Sequence, residues 1–135
     1  MNNREQYHFI LIDDSKLDCF IGEKVIQNNG ACRSFQSFSD AQNALEHIKI
    51  RPIDESKTIL LVDINMPLMT GFEFIESFEK NIPEDKQPNY IINLLSSSIN
   101  QSDIIRAKSY KSVHDFLNKP IKKDTLQAMI DSLSA

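Results

Sequence analysis

The sequence predicts an α/β fold: a parallel sheet of five strands with helices covering both faces. Three observations carry that expectation. Short apolar runs alternate five times with segments of helical periodicity along the chain. The run Thr58–Ile64 is continuously apolar apart from Asp63, the composition of a strand buried on both faces. The length of 135 residues is one domain's worth. A chain of that size buries roughly two thirds of its unfolded surface without a metal or disulfide staple.

The elements follow in order. Tyr7–Ile12 is a short apolar run that ends in the polar turn Asp13-Asp14-Ser15. From Ser15 the period changes: Leu17, Phe20, Ile21 and Val25 form a helical stripe, and Asn28-Asn29-Gly30 stops it. Cys32–Phe38 is a weaker strand anchored by Phe35 and Phe38. Ser39 has the chemistry of an N-cap for a helix carrying Ala41, Ala44, Leu45 and Ile48 on one face. Arg51-Pro52 ends that helix, because proline lacks a backbone donor and restricts the residue before it. After Thr58–Ile64 comes a loop, Asn65-Met66-Pro67-Leu68-Met69-Thr70-Gly71, then a helix marked by Phe72, Phe74, Ile75 and Phe78. Tyr90–Leu95 is a fourth strand ending in Ser96-Ser97-Ser98. Ile104, Ile105, Ala107 and Lys108 suggest a short helix, Val113–Leu117 a fifth strand, and Leu126, Met129, Ile130 and Leu133 a closing helix.

Composition removes several function classes. The net charge is −4 and the pI near 5.3, against the basic face of a nucleic-acid or anionic-membrane binder. Cys19 and Cys32 are too few for a disulfide framework and match no zinc spacing. His8, His47 and His114 are scattered without ligand spacing and read as structural or surface residues. No apolar run approaches the ~20 residues that span a bilayer. The N-terminal segment Met1–Gln6 lacks the apolar stretch of a secretory signal. A cytoplasmic single domain covering 1–135, with no output domain, is the expectation.

In a doubly wound sheet the ligand site lies outside the carboxyl ends of the strands. Asp13 and Asp14 stand at that end of the first strand, Asp63 at that of the third, Ser96 at that of the fourth and Lys119 at that of the fifth. Asp13-Asp14 alone could be an ordinary helix cap, and Lys119-Pro120 alone an ordinary strand exit. Asp63 is harder to dismiss, because a buried carboxylate needs a partner. Together they place three carboxylates, a hydroxyl and a lysine on one rim. Crowded carboxylates raise one another's pKa or take up a cation, and an all-oxygen acidic set suits Mg²⁺. Asp63 beside Mg²⁺, Lys119 and Ser96 is an arrangement for phosphoryl transfer onto an aspartate.

The segments Phe9-Ile10-Leu11-Ile12-Asp13-Asp14-Ser15, Leu60-Leu61-Val62-Asp63-Ile64-Asn65-Met66-Pro67, Gly71, Ile92-Asn93-Leu94-Leu95-Ser96-Ser97-Ser98 and Asp115-Phe116-Leu117-Asn118-Lys119-Pro120-Ile121 resemble the receiver domain of bacterial two-component response regulators, of the single-domain chemotaxis type. The resemblance covers essentially the whole chain. It implies a flavodoxin-like fold with strand order 2-1-3-4-5. It implies that Asp63 is the phosphoacceptor and that Mg²⁺ is bound by Asp13, Asp14, Asp63 and the Asn65 backbone carbonyl. Ser96 is then the switch hydroxyl, Phe116 the rotating aromatic and Lys119 the phosphate-binding lysine. Asn65 and Ser98 flank the path of the hydrolytic water. The implied partners are a histidine kinase or histidine phosphotransfer protein, and a downstream protein at the face of the fourth helix, fifth strand and fifth helix. Ile104, Ile105, Tyr110 and Phe116 are expected on that face. No direct nucleic-acid or membrane contact is implied. The domain is expected to catalyse only its own aspartyl phosphorylation and dephosphorylation.

The chain departs from the family pattern in places. Ser112-Val113 stand where Gly-Ala is usual, and Phe116 replaces the commoner tyrosine. The connectors Arg51–Lys57 and Asn81–Asn89 are long, and the first should fall away from the acidic rim. Within the family reading, a terminal output and a relay intermediate are both open. Two other classes share parts of this pattern. One is an interaction module independent of phosphorylation, which the complete Asp13, Asp14, Asp63, Ser96 and Lys119 set disfavours. The other is a haloacid-dehalogenase-like phosphohydrolase, which needs an acid where Asn65 stands.

Overall fold

A computed structural model describes residues 5–98 and 100–133. Met1–Arg4 of the N-terminal segment, and Ser134 and Ala135, where the closing helix was expected to end, lie outside the described residues. The elements alternate as β1 (Tyr7–Ile12), α1 (Lys16–Gln27), β2 (Cys32–Phe38), α2 (Ala41–Ile50), β3 (Thr58–Asp63), α3 (Gly71–Asn81), β4 (Tyr90–Ser96), α4 (Gln101–Lys108), β5 (Val113–Asn118) and α5 (Lys123–Leu133). The five strands pair in parallel in the order β2-β1-β3-β4-β5. The expected fold class and strand order are therefore found. No helix among the described residues is long and apolar enough to cross a membrane.

Strand alternation divides the core into two layers. Ile10, Ile12, Leu60, Val62, Ile92 and Leu94 point to the layer under α2, α3 and α4. Phe9, Leu11, Ile59, Leu61 and Leu95 point to the layer under α1 and α5. Every residue of β3 is buried, as its unbroken apolar composition predicts. The helix faces expected for α2 and α3 are buried without exception: Ala41, Ala44, Leu45 and Ile48, then Phe72, Phe74, Ile75 and Phe78.

Two local expectations change. The cap of α2 is Asp40 rather than Ser39, its side chain accepting the Asn43 N–H at 3.0 Å. More consequential is α1. The helix spans the expected segment, but Leu17 is 67% exposed and Phe20 57%, while Gly22 and Ile26 are buried. The helix is rotated so that Gly22 lies against the sheet. A Cβ there would lie 2.7 Å from Leu11 Cδ2 and 3.5 Å from Ile121 Cδ1. A contact made by a missing side chain leaves no trace in hydrophobic periodicity.

The register sets the rim. Ile12 pairs with Val62, Val62 with Leu94 and Leu94 with Phe116, so β1, β3, β4 and β5 run out at one level. Strand order reverses between β1 and β3, and the crevice there is where a doubly wound sheet offers a site.

Gly71 opens α3 directly beneath that crevice. A Cβ on it would stand 2.7 Å from both the Asp63 carbonyl oxygen and Ile64 Cα, which are backbone atoms that cannot rotate away. The Gly71 N–H also donates to the Ile64 carbonyl at 3.0 Å. Gly71→Ala is expected to destabilise the fold by about 2–4 kcal/mol, read as a lowered urea midpoint at unchanged slope.

Candidate functional site at the carboxyl edge of the sheet

Four elements bring the site together. Asp13 leaves the end of β1 1% exposed, and its Oδ1 accepts the Ser15 N–H at 2.9 Å. Ser15 in turn caps α1, accepting the Asp18 N–H at 3.2 Å, so one turn of chain holds Asp13 and starts the helix. Asp14 is exposed at the mouth of the crevice. Asp63 ends β3 at 4% exposure, with its Oδ1 accepting the Asn65 N–H at 3.1 Å. Oxygens of Asp13, Asp14 and Asp63 all lie within 4.8 Å of one another.

Lys119 leaves β5 and turns its ammonium into this cluster. Nζ lies 2.9 Å from Asp13 Oδ2, 2.8 Å from Asp18 Oδ2 and 3.4 Å from Asp63 Oδ2. Its backbone N–H donates to the Ser96 carbonyl at 2.8 Å, tying the end of β5 to the end of β4. The Ser96 side chain is fully buried. Its hydroxyl donates to the Ser98 carbonyl at 2.9 Å and accepts the Ser98 N–H at 3.0 Å. The expected residues Asp13, Asp14, Asp63, Asn65, Ser96 and Lys119 thus share one rim. Phe116 pairs with Leu94, two positions below Ser96, and is partly buried on the α4 side. There it lines a cavity of about 280 Å³ with Ile104, Ala107 and Val113.

Asp18 is the site residue that the sequence reading missed. Its place in the first turn of α1 reads as an ordinary acidic group at a helix N-terminus. Only its meeting with Lys119, 101 positions away in the chain, gives it a place in the site. Of the four residues expected on the α4–β5–α5 face, Ile104 and Phe116 line its cavity and Ile105 is exposed. Tyr110 turns instead to α3, stacking on Phe72 with its hydroxyl on Glu76. The departure at Ser112 also has a partner there: its N–H and hydroxyl both donate to the Glu79 carboxylate, at 3.1 and 2.6 Å.

The electrostatics follow from burial. The Asp63 carboxyl is raised to about 6: loss of water raises it, the Asn65 N–H draws it back, the Asp13 charge pushes it up again, and Lys119 lowers it in part. Burial works against the Lys119 ammonium too. The carboxylates of Asp18 and Asp13 outweigh that effect and hold its pKa above the ordinary lysine value. Hard oxygen donors, one of them reluctant to ionise alone, fit a divalent cation such as Mg²⁺ at Asp13, Asp14 and Asp63.

A carboxyl raised from 3.8 to about 6 binds its proton more tightly in the folded state. Its ionised form therefore destabilises the metal-free fold above about pH 6, and that effect disappears as pH falls towards 3.8. Asp63→Asn should raise metal-free stability at pH 7–8 by about 1–3 kcal/mol, a range that already includes the Lys119 contact the amide gives up. Thermal melts of both proteins should converge as pH falls from 6 to 4; a constant gap across that range would refute the assignment.

Comparison with known proteins places this geometry. The sequence matches the response regulator receiver domain family over residues 9–131. The response regulator receiver protein of Dyadobacter fermentans superposes with a TM-score of 0.84 at 30% identity, over 93% of this chain and 96% of that one. A two-component response regulator from Cytophaga hutchinsonii gives a TM-score of 0.86 at 24% identity, over 97% and 98% of the two chains. The rice two-component response regulator ORR1 is 24% identical over 89% of this chain, and the chain spans 52% of that relative's length. The fold, the ordered rim and the match across 9–131 agree, and the chain belongs to the response regulator receiver domain family.

Proposed function

We propose that this receiver is a phosphorylation switch in which Asp63 accepts a phosphoryl group from a phosphohistidine on a kinase or phosphotransfer protein. The observation that carries the reading is the Lys119 ammonium, held among Asp13, Asp18 and Asp63 at the strand-order reversal. An Asp63 carboxylate oxygen attacks phosphorus. A P–O bond forms as the P–N bond of the donor breaks, and the departing imidazole takes up a proton. Lys119 stabilises charge on the phosphoryl oxygens, and Asn65 orients the carboxylate through its N–H. Mg²⁺, held by Asp13, Asp14, Asp63 and the Asn65 carbonyl, would supply further neutralisation of the transferring group. In-line attack of water between Asn65 and Ser98 breaks the same P–O bond and resets the switch. Catalysis is confined to this self-modification.

The readout follows from what Ser96 gives up. Its hydroxyl leaves the Ser98 carbonyl for a phosphoryl oxygen, and Phe116 moves into the vacated space. That changes the α4–β5–α5 face, where Ile104 and Ile105 would meet a downstream protein. A near-complete shift requires about 5 kcal/mol of differential binding, which charge-assisted contacts in a partly dry site supply. A small-molecule phosphohydrolase is disfavoured because Asn65 stands at the position of the required acid, and its side-chain amide has no acidic proton to give.

Acetyl phosphate should label the wild type with a single phosphoryl group in the presence of Mg²⁺, read by intact mass. Asp63→Asn should take none, and a retained label would move the acceptor elsewhere. In thermal melts, Mg²⁺ should raise the wild-type Tm by mass action on the native state, and Asp14→Ala should remove most of that rise.

A further inference from the structure

Lys119 has three N–H donors, and three carboxylates lie within reach of them. Asp13 and Asp63 belong to the metal-binding rim, but Asp18 comes from α1 and belongs to no expected ligand set. It makes the shortest contact of the three, 2.8 Å, against 3.4 Å to Asp63. Asp18 is about one third exposed on its side chain, whereas Lys119 is nearly buried, so the pair is anchored from the lysine's side. A phosphoryl group on Asp63 needs the same ammonium. We propose that Asp18 is a positioning residue that competes for Lys119 in the unphosphorylated state, and so sets how favourably this receiver binds its phosphoryl group. The inference rests on the phosphorylation switch proposed above, and deepens it by naming a regulator of the same lysine.

The consequence has a definite sign. Competition by Asp18 weakens the phosphorylated state relative to the resting one, because Lys119 must leave or share a close ion pair to reach the new oxygens. Removing the competitor without removing the lysine tightens phosphoryl binding. A helix-capping role for Asp18 gives no such effect, since Ser15 already supplies the cap and uses only the Asp18 backbone N–H.

Beryllofluoride with Mg²⁺, a stable mimic of the phosphoryl group, is titrated into wild type, Asp18→Asn and Asp18→Glu. Asp18→Asn should bind the mimic tighter by about threefold or more, the worth of one partly exposed ion pair. Asp18→Glu, which keeps a carboxylate within reach, should return towards the wild-type value. The second readout is ¹⁵N NMR of the Lys119 ammonium without metal or mimic, where Asp18→Asn should speed exchange of its protons. Unchanged mimic affinity in Asp18→Asn overturns the inference and leaves the switch intact. Tighter binding with an unaltered ammonium signal also overturns it, because the effect is then charge acting through space. A wild type that takes neither beryllofluoride nor acetyl phosphate overturns the switch and this inference together.

Discussion

One ammonium makes this site possible. Asp13, Asp14 and Asp63 bring oxygens within 4.8 Å of one another, and Asp18 adds a fourth carboxylate against the same lysine. At such separations each ionised pair repels by about 3 kcal/mol for an effective dielectric near 20. Lys119 offsets that repulsion by contacting three of the four, and it does so from β5, the strand farthest in sequence from Asp13. The charge balance is left negative even so. Burial, with the Asp13 charge added to it, raises Asp63, and the residual negative charge makes the rim receptive to a divalent cation.

The precision of the rim comes from the rigidity behind it. β3 is buried on both faces and paired on both edges, so Asp63 issues from a strand held on every side. Gly71 lets α3 begin against the backbone of Asp63 and Ile64, which closes the loop after β3 tightly. The same loop carries Leu68 at positive φ (71°) and 98% exposed, a side chain on the surface flanking the acidic crevice. Ser96 and Phe116 behave differently. The hydroxyl is satisfied by a loop only two residues on, and the ring borders a cavity. Fixed charges with exchangeable neighbours are what the proposed two-state switch requires.

The long connectors lie at the other end of the sheet. The connector between α2 and β3 is fastened there, His8 bonding both Ser34 and Asp54, and Arg33 reaching Glu55 and Ser56. Arg51 donates to Thr58 at the start of β3. In the connector before β4, the Gln87 amide donates to the carbonyls of Glu79 and Ile82, closing the end of α3. Contacts of this partly exposed kind are worth little individually. Their role is to let two long connectors end in order without touching the acidic rim.

The alternation of elements, the burial of β3, the faces of α2 and α3 and the set Asp13, Asp14, Asp63, Ser96 and Lys119 were all legible in the chain. Each depends on local period or on which residue ends a strand, and both are written in the order of residues. Three things were not. The face that α1 presents depends on Gly22 meeting Leu11, a contact between elements that no periodicity reports. The direction of Tyr110 depends on Phe72 and Glu76 of α3. The place of Asp18 depends on the strand register that brings Lys119 to α1. The sequence by itself determined which groups reach the carboxyl edge, because strand ends and their polar residues are local. Only the tertiary structure decided which of those groups touch, because an ion pair across 101 positions of chain exists only once the sheet has closed between its ends.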